Sequence, residues 1–306
     1  MSDRPMIEPS EHPMVVSAMA RLASQGGWAR ILAGKPLEDI LDINDAELLV
    51  AAHVLRRNPD DSLEPVDSHP WHFDPESLAG GMLSYLRRAL RHAEGNEAGW
   101  TAEDLDIVVA QGRGSVSAAT SVAEGMLPQM PGAHEAFLEG RARFLDVGVG
   151  IGAVAGRICE MFPGVRAVGL DVLAPVLELA RAELGEAGLL QRVELRLQSV
   201  ADLCDVEEFD LAWVPQAFIP RADLAPGVRS VFRALKPDRW LVLPVEAPPG
   251  TADEFQRAVN AHGAHLTGGG PVTLDEVTAL LEDAGFDQVT GLDHGGQVVM
   301  LARRPD

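Results

Sequence analysis

Apolar residues recur at three- and four-residue steps through the first 140 positions and almost never alternate with polar ones. Met14–Leu32, Leu37–Leu55 and Leu78–Leu90 carry that spacing, which predicts amphipathic helices. In the third, Met82, Leu86 and Leu90 share one face. Asn58 to Pro75 holds four prolines in 18 residues and reads as a connector, not an element. Shorter helices are predicted at Ala102–Ala110, Val116–Met126 and Ala133–Glu139.

The pattern changes at Arg143. Short apolar runs at Phe144–Val147, Val165–Leu170, Arg192–Leu197, Phe209–Val214 and Trp240–Val245 read as strands. Helical segments separate them. Ala153–Phe162 is closed by Pro163-Gly164. Leu173–Leu184 aligns Leu173, Leu177, Ala180 and Leu184 on one face and stops at Gly185, and a further helix carries Val228, Val231, Phe232 and Leu235. Strand and helix in this rhythm imply right-handed crossovers and a parallel sheet covered on both faces. The end differs. Thr273-Leu-Asp-Glu276 is a capping box for a helix that stops at Gly285, and Phe286–Leu292 and Gln297–Ala302 flank a turn at Asp293–Gly296 as a β-hairpin. The expected fold is therefore α/β, a Rossmann-like doubly wound sheet, mostly parallel with a C-terminal antiparallel hairpin. A mainly helical N-terminal domain (1–140) precedes the sheet domain (141–306).

With 25 basic against 46 acidic residues the net charge is −21, divided as −12 before residue 141 and −9 after it. So evenly spread an acidity repels a polyanion, which argues against a nucleic-acid partner. No run approaches the roughly 18 apolar residues of a membrane span. The mixed-charge N-terminus does not read as a secretory signal. The two cysteines, Cys159 and Cys204, lie in apolar-periodic segments and are expected to be reduced and buried. Together these features predict a soluble, cytoplasmic protein.

The richest local chemistry is Asp146-Val-Gly148-Val-Gly150-Ile-Gly152, where the first strand should turn into a helix. Glycines there allow a tight turn and a close approach of ligand to backbone, and the helix start favours negative charge. Asp171 ends the next strand, where a carboxylate can accept both hydroxyls of a ribose. The run also satisfies the dinucleotide pattern G-x-G-x-x-G/A, so an NAD-dependent oxidoreductase stays open on glycines alone. Asp146 beside the turn would repel a pyrophosphate but suits the ammonium of a methionyl group. The closing antiparallel hairpin likewise favours S-adenosylmethionine.

Residues from about 140 to 306 resemble a class I S-adenosylmethionine-dependent methyltransferase. The glycine run resembles the family's first motif and Gly169-Leu-Asp171-Val its second-strand acid. Leu235-Lys-Pro-Asp resembles the turn before its fifth strand, and Gly268-Gly-Gly-Pro-Val-Thr-Leu-Asp-Glu with Ala284-Gly-Phe resembles its C-terminal end. The helical N-terminal part is similar to that of small-molecule, antibiotic-tailoring O-methyltransferases, where such a part caps the active site and often forms a homodimer. The resemblance implies that Gly148, Gly150 and Gly152 pass beneath the methionyl moiety and that Asp146 holds its amino group. It gives the ribose to Asp171, the adenine to Val172, Ser199 and Val200, and the surroundings of the sulfonium to Pro215 and Gln216.

The same resemblance implies a small-molecule acceptor in specialised metabolism, methylated at oxygen, with carbon or nitrogen as alternatives. A non-catalytic cofactor-binding assembly protein is a further alternative. Trp213-Val-Pro215-Gln216 lacks the Asp/Asn-Pro-Pro-aromatic signature of nucleic-acid amino-methyltransferases. It also lacks the histidine that serves the antibiotic-type enzymes as general base. Either the acceptor arrives ionised or a base comes from elsewhere, with His262 on a helix and His265 in the loop after it as candidates. Arg113, between glycines in an expected turn, is a candidate clamp for a substrate carboxylate. His69, Trp71, His72 and Phe73 cluster in the connector, but no third ligand has metal-site spacing, so no metal is expected.

Overall fold

A computed structural model describes residues 13–24, 43–66, 75–246, 254–294 and 297–306. The chain divides into two compact units, one of residues 1–90 with 109–117 and one of 91–108 with 118–306. The His69–Phe73 cluster lies outside the described residues.

In the first unit, α1 (Pro13–Ser24) and α2 (Ile43–Ala51) bury Val15, Leu22 and Leu49 in a shared apolar cluster with Val54 and Leu55. The expected connector includes regular structure among its described residues. Strands β1 (Leu55–Arg57) and β2 (Leu63–Pro65) pair antiparallel, with Leu55 opposite Pro65. Pro59 lies in the connection between the strands and Pro65 ends β2, so neither breaks the middle of the three-residue ladder, which is why proline density misled the sequence reading. Next come α3 (Pro75–Ala93) and α4 (Leu105–Gly114), of which residues 75–90 and 109–114 belong to this unit. A Cβ at Gly114 would come within 2.7 Å of the Gly81 backbone, so glycines set how closely α3 and α4 approach. The expected turn at 111–115 is thus the end of α4, and Arg113 stands exposed in that helix's last turn, within the first unit.

In the second unit, α5 (Val116–Thr120) continues into a π-helical turn at Ser121–Met126, and α6 (Ala133–Leu138) follows. Then β3 (Arg143–Val147), α7 (Ala153–Met161), β4 (Arg166–Asp171), α8 (Ala174–Glu186), β5 (Val193–Leu197) and β6 (Phe209–Trp213) alternate as predicted. The chain ends with α9 (Arg221–Ala234), β7 (Leu235–Val245), α10 (Glu254–Leu266), α11 (Leu274–Ala284), β8 (Asp287–His294) and β9 (Gln297–Arg304). The seven strands lie in the order β5-β4-β3-β6-β7-β9-β8. β3 to β7 are mutually parallel, and β9 runs antiparallel to both β7 and β8. The doubly wound sheet with an antiparallel end is the fold expected from sequence.

Alternation along the strands divides the core. Phe144, Leu211 and Val242 pack on one face with α6, α7 and α8 residues such as Phe137, Ile158 and Leu177. Leu145, Ala212 and Leu241 point to the other face, among Val228 and Val231 of α9 and Leu281 of α11. Both faces are therefore covered, as a parallel sheet requires. Cys159 is buried as expected, but Cys204 is exposed beyond a short 3-10 turn (Val200–Asp202), because the apolar side chain that turns inward there is Leu203.

Candidate functional site

Strand order places the site. β3 is central: the chain leaves it to build β4 and β5 on one side, then returns to build β6 on the other. A crevice opens outside the carboxyl ends of the strands where the winding reverses, between β3 and β6. The glycine turn leaves β3 at that edge, and Pro215–Phe218 leaves β6 from the same edge, since Asp146 pairs in register with Trp213.

Gly148, Gly150 and Gly152 have φ of 68°, 56° and 81°. Only glycine adopts that left-handed region without strain. A Cβ at Gly148 would meet no atom within 4 Å, and one at Gly150 only the Gly148 carbonyl at 3.9 Å, so the space over both is open to a ligand. Gly152 differs. Its Cβ would press on Leu184, so it serves packing at the start of α7. The turn is tied to the next strand, as Val149 N–H donates to the Leu170 carbonyl at 2.8 Å and Gly150 N–H to Asp171 Oδ2 at 3.2 Å.

The two acids are close enough to repel each other. Asp146 is almost completely buried and its Oδ2 accepts from Ala155 N–H at 3.0 Å. Burial is the main cause that pushes its carboxyl up to about 7; the Ala155 bond opposes this and the neighbouring Asp171 charge adds to it. Asp171 Oδ1 accepts from Leu173 N–H at 3.0 Å. Its carboxyl is also raised, chiefly by burial and against the hydrogen bonds from Leu173 and Gly150. Each carboxylate oxygen keeps a second acceptor direction, so Asp171 orders the turn and still has capacity for hydroxyl groups.

Val172, next after Asp171 in the chain, is 61% exposed, and Leu197, the register partner of Asp171 at the end of β5, is 62% exposed. Two apolar side chains left in solvent at the sheet's carboxyl edge suit the face of a planar ring. Leu197 escaped the sequence reading; the available signal was an apolar residue ending a strand in register with Asp171. Ser199 caps the following 3-10 turn, its Oγ accepting from Ala201 N–H at 3.2 Å. The Val200 side chain packs inward against Gly227, leaving only backbone for a ligand.

Gln216 is fully buried in the 3-10 turn after β6. Its Nε2 donates to the carbonyls of Gly269 and Gly270 at 3.4 and 3.3 Å, while Oε1 has no hydrogen-bond partner among the described residues. Pro215 precedes it as the N-cap. Nearby, the Trp100 and Phe218 rings meet edge to face at 5.4 Å. Trp100 also went unnoticed in the sequence, because it precedes the sheet domain by some forty positions. Glu246, just past β7, is a third omission. It accepts from Thr267 Oγ1 at 3.5 Å, and the missing side chain of Gly263 makes room for its carboxylate.

His265 lies inside α10, not in the loop expected, because the helix runs on to Leu266. Both His262 and His265 are exposed. His262 meets His92 edge to face at 4.9 Å. Among the described residues no group of three or more His, Cys, Asp or Glu is arranged to hold a metal ion, and no helix is long and apolar enough to cross a membrane.

Residues 144–238 match a family model described as a methyltransferase domain. The matched stretch runs from β3 into β7. Its glycine turn and its second-strand acid both fall within the matched residues. Methyltransferase GfsG of Streptomyces halstedii is 29% identical over 147 residues, which are 47% of this chain and 52% of that protein. The chain spans about half the length of the curated relatives it matches. Among solved structures, the pyocyanin biosynthetic protein PhzM superposes with a TM-score of 0.63 at 16% identity over 94% of both chains. Human N-acetylserotonin methyltransferase, solved with S-adenosylmethionine, gives 0.62 at 15% identity over 96% of this chain and 94% of that one. At such identities the likeness establishes the class I methyltransferase fold.

Proposed function

We propose that the protein transfers the methyl group of S-adenosylmethionine to a small organic acceptor, at an oxygen. The observation that carries this reading is the open glycine turn at the topological switch point, flanked by a buried acid on its own strand and a hydrogen-bonding acid on the next. Gly148 and Gly150 offer bare backbone to the methionyl part, and Asp146 offers a carboxylate to its ammonium. Asp171 takes the ribose hydroxyls through the acceptor directions the backbone leaves free. Val172 and Leu197 enclose the adenine, with Ser199 and the Val200 backbone at its edge. Bound there, the cofactor supplies an electrophilic methyl carbon on a good leaving group.

Much of the acceleration then comes from holding the acceptor in line and close. The exposure of His262 and His265, and a neutral amide at Gln216, support an acceptor whose nucleophilic oxygen is already ionised, such as a carboxylate or an acidic phenol. The net charge of −21 supports a small acceptor over a nucleic acid. A homodimer formed through the N-terminal helical part, and a cytoplasmic location, belong to the same reading. Arg113 remains a candidate substrate clamp within it.

Calorimetric titration tests the core of the proposal. Binding of S-adenosylhomocysteine in the micromolar range, with none of NADH, is expected. The reverse pattern would sink it. A screen of phenolic, keto-acid and amine acceptors with methyl-labelled cofactor then identifies the atom methylated.

A further inference from the structure

The Gln216 amide is built in an unusual way. Its side chain is fully buried, which for an amide normally requires that both ends be bonded. Only the nitrogen end is. The carbonyls of Gly269 and Gly270 fix Nε2 as the end facing their loop, and Gly269 N–H in turn donates to the Ala217 carbonyl at 2.9 Å. An amide so oriented must direct Oε1 away from that loop, and Oε1 is a pure acceptor. The residue stands three positions beyond Trp213, whose strand partner is Asp146, so it emerges at the crevice edge beside the glycine turn. A Cβ at Gly269 would lie within 2.6 Å of the Ala217 carbonyl, so position 269 of the loop that holds the amide has no room for a larger residue.

We infer that Gln216 is a specificity-determining residue: Oε1 accepts a hydrogen bond from an O–H or N–H group of the ligand bound at this edge. The inference rests on the methyl-transfer reading and adds to it a chemical demand, a donor placed opposite the end of β6. An orphaned buried carbonyl is costly until a donor reaches it, and the same cost discriminates against ligands that lack one. The two bonds that hold the amide, at 3.3 and 3.4 Å, lie on the Nε2 side only and leave the Oε1 side to the ligand. Two sources carry such a donor, the hydroxyl or amine of an acceptor and the ammonium of the cofactor.

The experiment separates them. Wild type, Gln216→Met and Gln216→Leu are first compared by thermal melting. Each is then titrated with S-adenosylhomocysteine by calorimetry. Finally, with that ligand bound, phenol and its donor-less counterpart anisole are compared by ligand-observed NMR. The expected result is that wild type favours phenol by about tenfold, the effect of one buried hydrogen bond, while the Met and Leu variants bind both alike. A fall of about tenfold in S-adenosylhomocysteine affinity confined to the Met and Leu variants also supports the inference and assigns the donor to the cofactor. The inference is overturned if all folded variants bind S-adenosylhomocysteine equally and none separates phenol from anisole. Wild-type protein that binds no S-adenosylhomocysteine would instead overturn the methyl-transfer reading, and this inference with it.

Discussion

Asp146→Asn separates the charge of a buried carboxyl from its shape. In the free protein the group titrates near 7 instead of 3.8, because burial disfavours its charged form. Between those two values the folded chain holds a proton that the unfolded chain has already lost, so stability falls as pH rises. The contribution is fully present below the unfolded value and is gone once pH passes the folded one. Roughly three pH units at about 1.4 kcal/mol each give about 4 kcal/mol of stability lost across that window. Other carboxylates titrate in the same range, so the quantity to measure is the difference between wild type and variant. Urea unfolding from about pH 5 to pH 8 should show Asp146→Asn gaining on wild type as pH rises. Added S-adenosylhomocysteine should narrow the gap above neutral pH, since its ammonium compensates the buried carboxylate only in the wild type. Parallel pH profiles for the two proteins without ligand would refute the reasoning.

Three more outcomes follow from the same geometry. Asp171→Ala should weaken S-adenosylhomocysteine binding by about 1–3 kcal/mol in calorimetry, and unchanged affinity would show the acid is misassigned. Gly148→Ala should cost about 1–2 kcal/mol in urea unfolding from its left-handed φ, and should reduce cofactor affinity further, because the added methyl enters space otherwise open to the ligand. Asp210 lies fully buried at the opposite end of β6, where it accepts from Arg143 N–H at 2.9 Å, Lys236 Nζ at 2.7 Å and Arg239 Nε at 3.0 Å. Asp210→Ala should therefore destabilise by about 3–5 kcal/mol by stranding those donors, with little effect on cofactor affinity in whatever fraction stays folded.

Local signals carried the sheet domain. Alternation at Phe144-Leu145 and Leu211-Ala212, the capping box at Thr273 and the stop at Gly285 are short-range features, and each element formed where its own residues predict it. The glycine turn was legible for the same reason, since positive φ is a property of single residues. Assignments failed where distant chain decided. Cys204 sits in an apolar stretch, but Leu203 takes the inward position. Val200 turns its side chain into a space left by Gly227, which no pattern around position 200 announces. Arg113 is flanked by glycines that mark a helix contact and not a turn, because Gly80 and Gly81 lie against Gly114.

By itself the amino-acid sequence determined the order of strands and helices, the turn that only glycine can make, and the acid that ends the next strand. These depend on side-chain period and backbone dihedral preference, which act over a few residues. Only the tertiary structure decided which carboxyl is driven toward neutrality, which exposed aliphatic side chains border the acid, and that one glutamine is sealed in with an unanswered acceptor. Burial and hydrogen-bond satisfaction are sums over neighbours drawn from the whole chain, and no local pattern contains them.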